Sequence, residues 1–370
     1  MSTLRAALEE ALAANPDDLA THMAYADLLV EQGDPRGEFV QVQLALEAPS
    51  CQGQRKQELQ YRQLMLLAHE REWLGELAKH LVGYSPNDQT PRDSWGWSRG
   101  WLDEVYFASL TEWAAMALAQ APAARLLRRL GVDEGDLAPL RDAPFLGHLR
   151  YFRFGEEVDF EADYYGSPTY AHGLAVPLVA LMPRLEELYL LTQGLDLKGL
   201  FGLPTLNHLK TLVVYHERSD VYPLDLLAEN PAFSSLERLR LHPGFSGDRD
   251  GYLPLEEVAT LFHSPHLGHL KHLHLHASSM GDEGIEELVE SGLLERLETL
   301  DLRFGRVTDA GVNTLLDSPH VHHLEYLSLD DNQLSDEGVA LLRDLDLPVV
   351  RCDNQHEEGD EDYLYSGDME

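Results

Sequence analysis

Cysteine is nearly missing from this chain: 370 residues hold two, Cys51 and Cys352. Two thiols build neither a disulfide framework nor a cysteine-based zinc site, and they fit a reducing cytoplasm. Positive charge is scarce as well. Lys and Arg number 28 against 64 Asp and Glu, a formal net charge of −36. Such a field repels phosphate backbones and anionic membrane surfaces, which argues against nucleic acid and membrane as partners. It attracts basic proteins. There is no apolar run of about 18 residues, so no membrane span is expected. The opening MSTLRAALEEALAANPDD reads as an acidic amphipathic helix without an apolar signal core. Cytoplasmic placement is the expectation. Phosphate loops, dinucleotide fingerprints, HExxH and nucleophile elbows are all lacking, so no enzyme and no cofactor is predicted.

What the chain does have is apolar material, 44% of it, enough for a sizeable core. Residues 4–14 set Leu4, Ala7, Leu8, Ala11 and Leu12 on one helical stripe. Asn15-Pro16 breaks it, and Asp17 or Asp18 is placed to cap a second helix with Leu19, Met23, Ala26, Leu29 and Val30 inward. Gly33 suits the left-handed position after that helix. Asp34 caps a third, with Pro35 in its first turn and Phe39, Val42 and Leu46 as its apolar stripe. A fourth helix is expected over roughly 53–81, carrying Leu59, Leu66, Trp73, Leu77 and Leu81.

Within residues 8–47, Tyr25-Ala26-Asp27 and the run Gly33-Asp34-Pro35-Arg36-Gly37-Glu38-Phe39 resemble the bacterial repeat-companion domain, a short module found at the head of repeat-bearing proteins. The resemblance implies company and assigns no activity. Asp27, Arg36 and Glu38 are read as a buried ion-pair network in preference to a binding site.

From about residue 101 the sequence repeats itself. The segments are LDEVYF (102–107), LRRLGV (127–132), LRYFRF (149–154), LEELYL (185–190), LKTLVV (209–214), LERLRL (236–241), LKHLHL (270–275), LETLDL (297–302), LEYLSL (324–329) and LPVVRC (347–352). Several units are 27 residues apart. A proline stands five residues before six of the ten, as at Pro122, Pro231 and Pro319. Each LxxLxL reads as a short parallel strand, and stretches such as DAGVNTLLD and DEGVALLRD as the helices between, capped by Thr308 and Ser335. One such unit cannot bury its apolar face; a stack can. The pattern resembles leucine-rich repeats, and the 27-residue units with Asp-x-Gly-Val/Ile helices resemble the ribonuclease-inhibitor-like class. Asn332 alone keeps the usual asparagine after the strand; Gly305 and Ser278 replace it elsewhere. The fold expected is α/β, a leucine-rich-repeat horseshoe with an N-terminal all-α module. The module spans 1–90, the solenoid of about ten units 91–352, and a disordered acidic tail 353–370. Through Trp95 to Trp101 the helical module is expected to cap the first strand, covering the core that a terminal repeat exposes.

Function is sought on the strand face that the solenoid leaves open. Strands lie about 4.8 Å apart, so like positions of successive repeats form columns. The fifth position runs through Tyr189, Val213, Arg240, His274, Asp301 and Ser328. The seventh runs through Tyr215, His242, His276, Arg303 and Asp330. Adding Arg238, Lys271 and His272, a basic, histidine-rich island appears inside a very acidic protein. A concave face of this kind suits a protein or peptide partner, one that is basic overall or that offers an acidic anchor, with tyrosines as flat contacts. The competing reading is a ladder that neutralises itself through Arg240–His274–Asp301 and Arg303–Asp330.

Two long units add FEADYYGSPTY (160–170) and PGFSGDRDGYLP (243–254), which offer Tyr164, Tyr165, Tyr170, Phe245 and Tyr252 as further contacts. The second resembles a calcium loop in Asp248, Asp250 and Glu257, but Ser246 stands where the first ligand belongs, and the loop follows a strand. The tract HSPHLGHLKHLHLHA (263–277) suggests metal by composition. His269 occupies a repeat position, and His263 and His266 fall in a connection. His272, His274 and His276, joined by His242, are left as surface residues whose partner binding should change between about pH 6 and 7. Two other functions remain open. One is an acidic inhibitor or regulator of a basic enzyme; the remoter one is a metal-dependent hydrolase on His242, His274, His276 and Asp301.

Overall fold

The computed structural model describes residues 3–81, 93–156, 169–170, 173–217, 222–243 and 253–357. The chain divides into two compact units, residues 1–151 and 152–370.

The first unit opens with helices α1 (Thr3–Ala14), α2 (Leu19–Glu31), α3 (Pro35–Glu47) and α4 (Gly53–Leu66). Asp18 caps α2 through the Ala20 amide, and Asp34 caps α3 through the Arg36 amide. The face of α2 differs from expectation. Leu19 and Met23 are 50% and 59% exposed, and Val30 is exposed too. His22 and Tyr25 turn inward in their place, beside Ala26 and Leu29 as expected. Tyr25 decides this register: its ring stacks on Trp101 at 5.4 Å and its hydroxyl donates to Glu9 at 3.0 Å. The expected fourth helix is broken. It leaves α-helical geometry at Leu67–His69 and resumes only briefly at Glu70–Leu74, while Leu59, Leu66, Leu74 and Leu77 still point inward.

Strand β1 (Ser94–Ser98) and β2 (Trp101–Leu110) form an antiparallel hairpin through Arg99-Gly100, an arrangement that the repeat pattern did not reveal. β3 (Arg129–Gly135) then pairs with β2 in parallel. The helices grip this hairpin. Arg36 Nε donates to Gly100 O at 2.7 Å, and its guanidinium lies 4.5 Å from the Trp101 ring. Gln43 bonds Trp97 O and the Gly100 amide. Trp95 and Trp97 both donate to Glu70 at 2.7 Å. The expected Asp27–Arg36–Glu38 network is therefore absent. Asp27 accepts from Gln41, and Glu38 pairs with Arg62 at 2.6 Å on the surface. Arg36 is the one of the three that is buried, and its reach to Gly100 explains why. Gly37 lets α3 approach α2, since a Cβ there would meet Val30 N at 2.6 Å.

The second unit carries β4 (Tyr151–Phe154), most of which lies past the boundary, β5 (Thr169–Tyr170), β6 (Glu187–Gln193), β7 (Thr211–Glu217), β8 (Arg238–Pro243), β9 (His272–Leu275), β10 (Thr299–Asp301), β11 (Tyr326–Ser328) and β12 (Val349–Arg351). From β6 to β12 each pairs in parallel with the next, and β5 adds to β6. Each LxxLxL segment supplies one strand. The leucines explain the stacking: Leu188 and Leu190, Leu212, Leu239 and Leu241, Leu273 and Leu275, Leu300 and Leu302, Leu327 and Leu329 are all fully buried. They fill the layer between the strands and the helices Leu255–Phe262, Gly281–Glu290, Asp309–Asp317 and Asp336–Arg343. Thr308 and Ser335 cap their helices as the sequence suggests.

Successive repeats are also tied by side chains. Asp282 accepts from the Thr308 and Gly311 amides at 2.8 and 2.9 Å, and from the Thr308 hydroxyl at 2.7 Å. Asp309 repeats this on the Ser335 amide and hydroxyl at 3.0 and 2.5 Å. Buried Asn332 is fully satisfied: it accepts from Gly305 and Val307 and donates to the carbonyls of Leu302 and Asp330. The chain is a leucine-rich-repeat solenoid preceded by an all-α module.

Candidate functional site

The strand pairing lays down the column that the sequence suggested. Tyr189 faces Val213, Val213 faces Arg240, Arg240 faces His274, His274 faces Asp301, and Asp301 faces Ser328. The column continues to Arg351, the fifth residue of LPVVRC. A neighbouring column, the third position, runs Thr211, Arg238, His272, Thr299, Tyr326 and Val349.

Depth separates these residues more than column does. Arg238 and Lys271 are exposed, while Tyr189, Arg240, His272 and His274 are half-buried. Tyr215, His242, His276, Asp301 and Arg303 are buried. The expectation that His242 and His276 are surface residues is thus corrected. For His276, Arg303 and Asp330 the cause is local, since each precedes a residue in left-handed geometry, Ala277 (φ 49°), Phe304 (φ 55°) and Asp331 (φ 52°); His242, which precedes Pro243, is covered by the rings of Tyr215 and His276. The chain turns there, and the preceding side chain is drawn into the corner of the repeat.

His274, His276 and Asp301 meet in that corner. Asp301 Oδ2 lies 3.2 Å from His276 Nε2 and 3.9 Å from His274 Nδ1. Its Oδ1 accepts from the Arg303 amide and Nε at 3.3 and 3.2 Å, and Arg303 Nη2 stands 3.1 Å from Oδ2. Behind the group, His276 Nδ1 is 3.4 Å from His242 Nδ1, and the Tyr215 ring meets His242 edge-on at 4.3 Å. In front, the His274 ring stacks beside Tyr326 at 6.3 Å, and Thr299 Oγ1 lies 3.0 Å from His272 Nδ1 and 3.4 Å from His274 Nε2. On the surface Lys271 pairs with Glu298 at 2.6 Å. Farther along, Arg351 Nε meets Asp330 Oδ2 at 2.7 Å.

Charge follows burial. Desolvation, only partly offset by Asp301, holds His274 down to about 3 and His276 down to about 4. His272 is lowered as well, first by burial and then by Arg238. His274 and His276 are therefore neutral across pH 6–7, and a change of binding in that interval does not come from these two. Burial also opposes the charge of Asp301, but His276, Arg303 and His274 outweigh it and keep the carboxyl well below the ordinary carboxylate range. The group is a carboxylate, a guanidinium and neutral imidazoles. In part, the ladder does neutralise itself.

The other candidates fare differently. Tyr164, Tyr165, Phe245, Tyr252, Asp248 and Asp250 lie outside the described residues, as does the side chain of Tyr170. Glu257 is engaged: its Oε2 accepts from the Leu224 and Asp225 amides at 2.9 and 3.4 Å, at the start of a neighbouring repeat's helix. Sequence reading missed Thr299, Tyr326 and Arg351 as members of the face. Their positions, third in LETLDL and LEYLSL and fifth in LPVVRC, were sufficient to find them.

Residues 320–342 match the family described as Leucine Rich repeat. No curated protein matches the chain. Among solved structures, a Bacteroides fragilis protein is similar at 19% identity and TM-score 0.47, over 82% of this chain and 86% of that one. An internalin from Listeria monocytogenes is similar at 14% identity and TM-score 0.32, over 72% and 85%. A leucine-rich-repeat protein from Leptospira interrogans is similar at 15% identity and TM-score 0.33, over 65% and 69%. Among the described residues no helix is long and apolar enough to cross a membrane.

Proposed function

We propose that the protein is a non-enzymatic interaction scaffold that takes a protein or peptide partner on the open face of its parallel sheet. The observation that carries this reading is the accessible half of the face. Arg238 is exposed, and His272, Arg240, Tyr189 and Tyr326 are half-exposed on strands β6 to β11. Two arginines on β8, flanked along the sheet by tyrosine rings on β6 and β11, suit an extended segment with an acidic anchor. The buried corner of His276, Asp301 and Arg303 supports the face from behind. The test is crosslinking capture from the source cell with wild type and with Arg238→Glu/Arg240→Glu. Loss of a partner from the variant is expected; equal recovery by both removes this face as the site.

The net charge of −36 supports a second reading, an acidic regulator that masks a basic protein. Association with such a partner slows steeply as salt rises, because the Debye length falls to about 8 Å at physiological ionic strength. A salt-independent association rate for the captured partner rejects this second reading.

A further inference from the structure

The corner beneath the open face holds three donor atoms of metal-ligand type that lack a well-directed hydrogen bond. His274 Nδ1, His276 Nε2 and Asp301 Oδ2 are each buried without one, the Arg303 guanidinium standing 3.1 Å from Oδ2 as an ion pair. Buried polar atoms are ordinarily satisfied, and leaving one unmade is costly. Three such atoms from two neighbouring strands converge here, all within 4.8 Å of one another. Their partial charges make the arrangement stranger. The contact between His276 Nδ1 and His242 Nδ1 at 3.4 Å needs one nitrogen to carry the proton and the other to present a lone pair. In the tautomer protonated at Nε2 that nitrogen faces Oδ2 as a donor, whereas in the tautomer where His276 donates to His242 its Nε2 lone pair faces the Asp301 carboxylate at 3.2 Å, acceptor against acceptor. A cation between them removes that repulsion.

We infer that His274, His276 and Asp301 form a site for a divalent transition metal of the zinc type. Two neutral imidazoles and one carboxylate are a donor set that zinc accepts, with a fourth position left open. Ligand atoms around tetrahedral zinc stand about 3.3 Å apart, from bond lengths near 2.0–2.1 Å. The His276–Asp301 separation of 3.2 Å already fits, while the His274–Asp301 separation of 3.9 Å must shorten as His274 moves in on binding. Supporting groups are in place. Arg303 holds both oxygens of Asp301, Nε to Oδ1 at 3.2 Å and Nη2 3.1 Å from Oδ2, and so fixes the carboxylate beside the imidazoles, while His242 stands at the far nitrogen of His276. Arg303 and Arg240 oppose a further positive charge, which sets the affinity below that of a site lined by anions alone. Side-chain exposure of 21% at His274, against 1% at His276 and Asp301, puts the open position on the sheet face. The site does not depend on the scaffold reading, and its failure would leave that reading standing.

Cobalt tests this directly. Protein without a histidine tag is stripped with chelator and titrated with Co²⁺, then with Zn²⁺. A four-coordinate ligand-field spectrum that saturates at a single equivalent and is displaced by zinc is expected. His276→Ala and His274→Gln should each lose it. Since His276 is buried, His274→Gln, with circular dichroism unchanged, decides the matter should His276→Ala not fold. His320→Gln/His323→Gln, on a separate exposed connection, should keep the spectrum. No spectrum from wild type, or one that survives His274→Gln, overturns the site.

Discussion

Asp282 Oδ1 sits 2.9 Å from the Gly311 amide of the next repeat, and a Cβ on Gly311 would come within 2.5 Å of that same oxygen. The acid and the glycine of the Asp-x-Gly pattern thus explain each other across a repeat boundary. At the next boundary a Cβ on Gly338 would likewise meet Asp309 Oδ1, although there the Gly338 amide bonds Ser335 Oγ. Gly→Ala in a helix ordinarily stabilises by about 0.5–1 kcal/mol. Here Gly311→Ala should destabilise, and Asp282→Ala should cost about 1.5–3 kcal/mol through its lost charged hydrogen bonds. The double variant should recover part of the sum, because removing the carboxylate makes room for the methyl. Urea midpoints of the four proteins check this; strict additivity would show that the two residues are independent.

Arg36 is expected to hold the β1–β2 hairpin alone of the three charged residues in its neighbourhood. Arg36→Met should lose about 2 kcal/mol, from the bond to Gly100 O and the Trp101 stack. Asp27→Ala should stay within about 0.5 kcal/mol, as an exposed surface change. Tryptophan fluorescence during urea unfolding follows both, since Trp95, Trp97 and Trp101 report on the hairpin.

His22 gives the first unit a pH dependence of definite sign. Burial pulls its pKa below 6.5, against the hydrogen bond to Pro16 O, with Arg99 and Arg128 adding to the fall and Glu47 opposing it. The unfolded chain therefore takes up a proton near pH 6.5 that the folded chain refuses. Stability from this group is complete above that pH and is lost as pH falls towards the folded value. His22→Gln should flatten that part of the urea-midpoint profile as pH falls below about 6.5. An unchanged slope would show that His22 is not its source.

Asn332→Ala removes four hydrogen bonds at once and leaves the Gly305 and Val307 amides buried without an acceptor. A loss of about 2–4 kcal/mol is expected, at about 1–3 kcal/mol for each orphaned group with some relaxation. Hydrogen exchange should localise the change to the amides of Gly305 and Val307. Protection unaltered there would contradict the role.

Much of this was legible beforehand, for reasons of periodicity. LxxLxL placed every repeat strand, because inward leucines at fixed spacing admit one register. The columns followed from that register. Depth did not follow. Whether His276 lies on a surface depends on the left-handed turn at Ala277 and on His242 one strand away, and neither is a property of its own segment. The α2 face failed similarly. Leu19, Met23 and Val30 are as apolar as a core stripe requires, but Tyr25 had Trp101 to stack on. Asp27, Arg36 and Glu38 sat close in sequence and suggested one another, whereas Arg36 had its partner 64 residues away.

The clasp between Asp282 and Gly311 also bears on how such an array changes length. Every unit of this kind hands an acceptor forward and requires from its successor a residue with no side chain. A cut at any point within the 27-residue period, rejoined at the equivalent point, preserves both halves of that bargain. A cut out of phase sets a carboxylate against a methyl or larger group and leaves helix amides without their acceptor. Chain length here is quantised: whole repeats can be gained or lost, fractions cannot.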